Sequence, residues 1–339
     1  MQPCITHQEN SEIVILHKLF VCIMEDYRKQ IIEYSYGFLR EAGFSVSACD
    51  LEGLSSFDLI ARRDDESYVI KILYNVDPFR IENAVEISRI GKMLGAAALL
   101  IGERAGNGFL EEGVVYFRHS IPIMSPDTFY KYINGEKPLV YAGPGGYYVA
   151  LDGKKMQEAR ARARLSIGNV SMVIGTSRRS VSLYESGNSA TLEIFNKLKK
   201  ILKEDISRRI DISDYGIKAD DSQEMPQDEF MLSIYNIMKG FGMDMNLIRK
   251  APFNALAKGH LLESLFLMGL FEDLNQNRER IQSIKNISEV MEKDPLLISR
   301  HDTSREIVGG CSVITMKKLH EISDQDEFLK IAGRNRLYS

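Results

Sequence analysis

Residues 175–187 read GTSRRSVSLYESG, and the arginine pair within it, Arg178 and Arg179, poses the first chemical question. A guanidinium is a rigid fork of donors that matches two acceptors at once, such as O6 and N7 on the edge of a guanine. The hydroxyls of Ser177, Ser180 and Ser182 beside the pair are suited to a base edge or a phosphate. Upstream, Lys154, Lys155 and Arg160, with the arginines up to Arg164, supply cations of the kind that neutralise phosphates. Together these residue types point to double-stranded DNA as the partner.

The overall charge of -4 and a pI near 6.0 speak against a chain coated in nucleic-acid-binding surface. The charge is unevenly spread, however. Residues 151–203 carry 11 Lys and Arg against 4 Asp and Glu, whereas residues 1–150 carry 14 against 20 and the remainder 18 against 23. Phosphate neutralisation needs clustered positive charge and not a positive total, so one basic island between two acidic blocks suffices.

Helical periodicity must position these cations. Lys154 to Arg164 reads as a first helix with Met156, Ala159 and Ala163 inward. Ser166 caps a second that buries Val170, Val173 and Ile174, and Gly175 ends it, because glycine enters a left-handed turn without a Cβ penalty. Thr176 or Ser177 caps a third helix with Val181 and Tyr184 inward, stopped by Gly187. Thr191 starts a fourth that buries Ile194, Phe195, Leu198, Ile201 and Leu202. Two short helices joined by a tight glycine turn, the second opening with basic and polar residues, form the layout that inserts a helix into the major groove. Over residues 152–203 this layout resembles the Cro/C1-type helix-turn-helix. The resemblance implies a reading helix at 177–186, with Arg178 and Arg179 at bases, Ser177, Ser180 and Ser182 at bases or phosphates, and Lys154, Lys155 and Arg160 to Arg164 at phosphates or as solvated charge. It departs from that family at Asn169 and Ser171, where an acidic or glutamine residue and an alanine are usual.

The flanking blocks read as α/β. In the first, a helix from about Cys22 to Arg40 precedes strands at Phe44–Cys49, Phe57–Arg62 and Tyr68–Leu73, then a helix at Ile81–Leu94, a buried strand AALLIG and a short strand near Val114. Three segments recur in the same order downstream: 55–73 pairs with 251–270, 87–104 with 287–302, and 121–133 with 312–331, which points to an internal duplication. Gly143-Pro144-Gly145-Gly146 and the polar stretch 211–228 read as linkers. The expected domains are therefore 1–142, 147–210 and 225–339.

The first block also resembles the restriction-endonuclease-like or Holliday-junction-resolvase-like fold, whose catalytic pattern is an Asp on one strand and Glu-x-Lys on the next. That resemblance puts the Asp at Asp58 and the Lys at Lys71, but Val69 stands where the Glu belongs. One carboxylate beside a valine is a poor site for the divalent ion that activates water. Glu25 or Glu33 on the first helix could supply a second ligand. In the downstream copy the corresponding residues are Asn254, Phe266 and Met268. Asp58 and Lys71 are thus vestigial candidates for an ion pair without chemistry, and no enzyme activity, cofactor or metal is expected.

Nothing else in the sequence demands chemistry. Cys4, Cys22, Cys49 and Cys311 form no C-x-x-C pair, and His7, His17, His119, His260, His301 and His320 lack metal-ligand spacing. No apolar run is long enough to cross a bilayer and no export signal opens the chain, so a cytoplasmic protein with reduced thiols and no membrane partner is expected. Over most of its length the chain resembles the archaeal HTH-type transcriptional regulatory proteins. That resemblance implies a sequence-specific regulator and no particular operator or effector; a homodimer on two half-sites is the expected active form. A metal-dependent nuclease using the first block, or a protein-interaction scaffold, are the alternatives.

Overall fold

The computed structural model describes residues 26–49, 55–106, 108–216, 225–259 and 264–333. The first part of the chain runs α1 (26–41), β1 (Ser45–Ala48), β2 (Leu59–Arg63), β3 (Glu66–Asn75), α2 (Ile81–Leu94), β4 (Ala97–Ala105), β5 (Gly108–Phe109), β6 (Val114–Arg118), β7 (Ile121–Met124) and α3 (Pro126–Ile133). Next come β8 (Val140–Gly143), β9 (Gly146–Val149), α4 (Gly153–Arg162), α5 (Ile167–Ile174), α6 (Arg178–Glu185), β10 (Ala190–Thr191) and α7 (Leu192–Leu202). The last part holds α8 (Glu229–Gly240), β11 (Met243–Leu247), β12 (Ala255–Gly259), β13 (Leu265–Phe271), α9 (Arg278–Met291), β14 (Asp294–Ser299), β15 (Ile307–Val308), β16 (Cys311–Thr315), α10 (Met316–Glu321) and α11 (Gln325–Ala332). The fold is mixed α/β with an α-helical segment between the strand-rich parts.

Two compact units interleave along the chain. One takes residues up to Ile31, Leu73–Phe79 and Leu99–Gly216; the other takes Ile32–Ile72, Arg80–Ala98 and the chain from Ile217 onward.

In the first of these, β7 runs parallel to β4 and antiparallel to β6, which continues through β8 and β9 to β10. Gly143–Gly146 is accordingly the turn of the β8–β9 hairpin and not the linker expected from its composition, because β8 finds a partner in β6 through Val114↔Val140 and Val115↔Tyr141. Gly145 and Gly146 adopt φ of 82° and 146°, which a side chain would resist. Helices α4–α7 pack around Val149, Met156, Val170, Ile174, Val181, Phe195 and Leu198.

In the other unit, β1, β2 and β3 form an antiparallel meander. Helix α2 buries Ala84, Ile87, Ile90 and Leu94, a stripe at helical spacing, and ends on Gly95 in the left-handed region. From residue 225 onward the same order of elements recurs. Helix α8 leads to an antiparallel meander β11-β12-β13, then α9, then β14, which runs parallel to both β13 and β16, while β15 pairs antiparallel with β16. The core here is Phe230, Ile234, Met238, Phe266, Met268, Leu296, Ile298, Ile314 and Phe328.

The recurring segments keep their order but not the register read from sequence. The buried faces of α2 and α9 coincide when Ile87 is set against Ile284 and Leu94 against Met291, three residues from the Ile87–Ile287 match in the sequence. A helical face repeats every three or four residues, so a sequence match slips by a turn without losing its apolar pattern.

Among the described residues no helix is long and apolar enough to cross a membrane, and Cys311 is a free, buried thiol. Burial pushes the Cys311 thiol up to about 12. Cys4, Cys22, His7, His17, His260 and Glu25 lie outside the described residues.

The stretch after α7 is fastened by Asp211. Its carboxylate accepts from Tyr132 Oη at 3.1 Å, from the Ser213 hydroxyl at 2.6 Å and from Lys137 Nζ. Burial alone would raise its pKa, but these hydrogen bonds outweigh it and hold the carboxyl well below the usual carboxylate range. A depressed folded-state pKa contributes stability that is present above the unfolded value, about 3.9, and is lost as pH falls through the folded one. Asp211→Asn is therefore expected to lower the thermal midpoint at pH 7, and the gap from the wild type should narrow as pH drops below about 4. Melting curves from pH 7 to pH 3 check this; a gap that stays constant would contradict it.

Candidate nucleic-acid interface

Helix α4 is capped by Asp152, whose side chain accepts from the Lys155 amide. Ser166 and Asn169 close a reciprocal capping box on α5, and Gly175 ends that helix at φ 74°. Ser177 caps α6 by accepting from the Ser180 amide at 3.0 Å. Thr191 caps α7 through the Ile194 amide. The turn between α5 and α6 is thus three residues, Gly175 to Ser177, and both helix starts are held by short polar side chains. Gly153 meets the far end of α6 so closely that a Cβ there would lie 2.3 Å from the Glu185 carbonyl oxygen.

Packing sets the rotation of α6. Val181 is fully buried, and Glu185 turns inward to a bidentate pair with Arg160. With 3.6 residues per turn, Arg179, Ser182, Leu183 and Ser186 then share the outward face, and all four are exposed. Arg178 sits at the edge of that face. Its guanidinium lies against α5, with Nε and Nη2 each 3.2 Å from where a Cβ on Gly168 would be. Among the described residues neither arginine makes an ion pair with a carboxylate.

The other predicted residues divide in two. Lys154 is exposed and, among the described residues, pairs with no carboxylate, and Lys155 reaches Asp152 at 3.5 Å. Arg160 instead ties α4 to α6, donating to Glu185 and, at 3.0 Å, to the Leu165 carbonyl. The Ser177 and Ser180 hydroxyls face one another at 2.9 Å, and Ser182 Oγ donates to the Arg178 carbonyl at 3.2 Å. Two expected core residues point out: Val173 is 60% exposed and Ala163 is exposed, because α5 and α4 each bury only one narrow stripe. Leu183, 44% exposed among polar neighbours, was not singled out in the sequence. Its spacing of four from Arg179 was the available signal.

Asp58 and Lys71 meet at a second place. Asp58 leads into β2, its amide donating to the Ile70 carbonyl at 2.8 Å. Its Oδ2 accepts the Ile72 amide at 2.6 Å and its Oδ1 the Lys71 ammonium at 3.2 Å. Lys71 Nζ also donates to the Ser55 carbonyl at 2.7 Å, and both side chains are buried. Val69, on the same face of β3 as Lys71, is fully buried and Glu33 is exposed. No group of three metal-binding side chains occurs among the described residues. A hard divalent ion does not fit one carboxylate already engaged by an ammonium and an amide.

The downstream block repeats this pin without the charges. Asn254 donates its amide to the Met268 carbonyl at 2.8 Å, and its Oδ1 accepts the Leu270 amide at 2.8 Å. Strand registers agree, Leu59↔Ile70 in one and Ala255↔Met268 in the other. Asp58 therefore corresponds to Asn254, as the sequence match had it, but Lys71 corresponds to Gly269 and Val69 to Leu267. The match to Met268 and Phe266 fails because the paired residues Ala255 and Met268 are 13 positions apart where Leu59 and Ile70 are 11, two inserted residues and not one.

Comparison with known proteins gives the context. Residues 28–138 match the PD-(D/E)XK superfamily domain. A relative from Thermoplasma volcanium is 43% identical over 90% of this chain and 97% of its own length. One from Picrophilus torridus is 41% identical over 92% and 99%, and one from Pyrococcus horikoshii 31% identical over 90% and 97%. All three are named "Putative HTH-type transcriptional regulatory protein". The chain belongs to this family. No solved structure matches it. Within the family's shared length lie both the helical segment and the PD-(D/E)XK domain, whose superfamily match covers Asp58 and Lys71.

Two measurements test the geometry. Asp58→Asn keeps an acceptor for the Ile72 amide, as Asn254 does, but removes the charge beside a buried ammonium, and is expected to cost about 3–5 kcal/mol. Asp58→Asn with Lys71→Met should return to within ~2 kcal/mol of the wild type, since an apolar replacement of a buried pair is often neutral. Urea titrations of the single and double variants decide; additive losses would show that the two groups are not coupled. Gly153→Ala should destabilise the helical segment by about 1–3 kcal/mol through overpacking against Glu185.

Proposed function

We propose that the chain is a sequence-specific regulator of transcription that binds double-stranded DNA and reads the major groove with residues 177–186. The observation that carries this reading is the outward face of α6, where Arg179 stands exposed beside Ser182 and Leu183 and, among the described residues, pairs with no carboxylate. The names of the relatives and the excess of cations over residues 151–203 support it. In this reading the helical segment is a Cro/C1-type domain within 147–210, joined to the first α/β block, 1–142, through the β8–β9 hairpin, and that block and 225–339 descend from one duplicated module. The acidic blocks repel DNA and confine binding to the basic island. The protein acts in the cytoplasm as a homodimer on two half-sites about one helical turn apart, and needs no cofactor.

The two arginines take different tasks. Arg179 discriminates a guanine through its bidentate fork, with Ser182 and Leu183 against neighbouring base edges. Arg178, lying back on the first turn of α5, contacts a phosphate together with Lys154 and sets register. Ser177 and Ser180 hold the helix start, Lys155 adds positive field, and Arg160 fixes the angle between α4 and α6.

Arg179→Ala is expected to lose about 1–3 kcal/mol on the preferred site and little on random DNA. Arg178→Ala should weaken all sequences alike and reduce the salt slope by about one. Selection of bound genomic fragments followed by salt-titrated gel shifts checks both, and no DNA affinity at low salt would sink the proposal. The superfamily match over 28–138 favours a second reading, a metal-dependent DNA nuclease. Cleavage of linear or branched DNA with magnesium or manganese, lost in Asp58→Ala, would establish it in place of a regulator without enzyme activity.

A further inference from the structure

Within the unit that holds Ile32–Ile72, Arg80–Ala98 and the chain from Ile217 onward, equivalent residues of the two α/β modules touch one another. Phe57 precedes Asp58 as Phe253 precedes Asn254, and both rings are fully buried, stacked with centroids 6.3 Å apart and 27° between planes. A residue meets its own equivalent only on or near a two-fold axis, the mark of an isologous interface.

The matching geometry extends well beyond that pair. Gly43 before β1 and Gly242 before β11 both take positive φ, 86° and 70°. Gly95 and Glu292, which end α2 and α9, are both left-handed, at φ 70° and 51°. The amide after each folds back alike, Ala96 to the Gly91 carbonyl at 2.8 Å and Lys293 to the Ser288 carbonyl at 2.9 Å. A glutamate in the left-handed region is strained relative to glycine, so the shared conformation at 292 comes from the architecture and not from the residue.

Contacts across the interface run from the second helix of each module to the meander of the other. The last turn of α9 reaches the first meander, where Glu292 pairs with Arg62 of β2 at 2.6 Å. The last turn of α2 reaches the second meander, where Met93 Sδ accepts from Asn246 of β11 at 3.6 Å. The axis itself is reinforced by further hydrogen bonds. The Ser56 amide donates to the Lys250 carbonyl at 2.7 Å, and Glu86 Oε1 accepts the Arg249 and Lys250 amides at 3.1 and 2.8 Å.

We infer that the downstream module is a dimer partner supplied in cis: it covers, about a pseudo-two-fold axis through Phe57 and Phe253, the face on which the first module would otherwise take a second copy of itself. The chain closes this face alone. Any homodimer formed on DNA uses other surfaces, and the second member of the pair has lost its charged centre, with Asn254 and Gly269 where Asp58 and Lys71 stand. A Cβ on Gly269 would lie 2.5 Å from the Phe271 ring and 2.7 Å from Ile284 Cδ1, so α9 has packed into the space a lysine would need.

Cross-linking of the full chain tests this. Cysteines are introduced pairwise at the two helix-to-meander contacts, Arg62→Cys with Glu292→Cys, and Met93→Cys with Asn246→Cys. Unlabelled and nitrogen-15 chains are mixed in denaturant, refolded together, cross-linked with a short bismaleimide and digested. The expected result is that both cysteine pairs cross-link and each linked peptide pair is wholly light or wholly heavy. Half of the linked pairs being mixed would show that the contact forms between chains and overturn the inference. Linking at only one of the two contacts, in protein whose circular dichroism matches the wild type, would overturn the two-fold relation. No linking at either, with every cysteine reactive after unfolding, would overturn the interface.

Discussion

A backbone amide at the centre of a sheet has to be satisfied, and in this protein one side chain does that work at the same point of each α/β module. Asp58 Oδ2 takes the Ile72 amide and Asn254 Oδ1 takes the Leu270 amide, each at the residue that leads into the middle strand of an antiparallel meander. Losing such an acceptor leaves a buried donor bare, at a cost of about 1–3 kcal/mol. The pin holds the middle and last strands of each meander in register, and it fixes the backbone beside the preceding phenylalanine. With Phe57 and Phe253 both turned to the same place, the face between the modules follows from the two pins.

The pin also gives Asp58 and Lys71 a structural role that is independent of any chemistry. A carboxylate and an amide serve equally as acceptors for the strand amide, so the hydrogen bond does not account for the charge on Asp58. The charge is balanced by Lys71, which in turn donates to the Ser55 carbonyl. Where the lysine is replaced by Gly269, the acceptor is the neutral asparagine. The two solutions, a charged pair and an uncharged one, are each internally consistent, because an isolated charge in either place would be costly.

In the helical segment the limiting constraint is rotation. Val181 and the Arg160–Glu185 pair fix which side of α6 meets the core, and that choice alone separates two adjacent arginines of identical chemistry. Arg179 is carried to the middle of the solvent face, and Arg178 is folded against Gly168. Arg160 shows the converse: a cation within a basic stretch is consumed by packing, because the one acidic side chain that α6 turns inward lies beside it.

Much was legible from sequence because it depends on local chemistry. The four helices of the basic island, their serine, threonine and glycine boundaries, the span of α2 at Ile81–Leu94 and the alternation of strands and helices all arise within a few residues of where they are read. The order of the recurring segments was legible for the same reason, but their register was not, since helical faces repeat and loops differ in length. Gly143–Gly146 read as a break until β8 met β6, a pairing between residues 26 positions apart, such as Val114 and Val140. Which arginine faces out, that Val173 is exposed, and that Lys71 stands opposite Gly269 were decided by tertiary structure, because each depends on what packs against the residue and not on the residue itself. The sequence by itself determined which side chains were available; packing around Val181, Asp58 and Phe57 determined which of them are free to act.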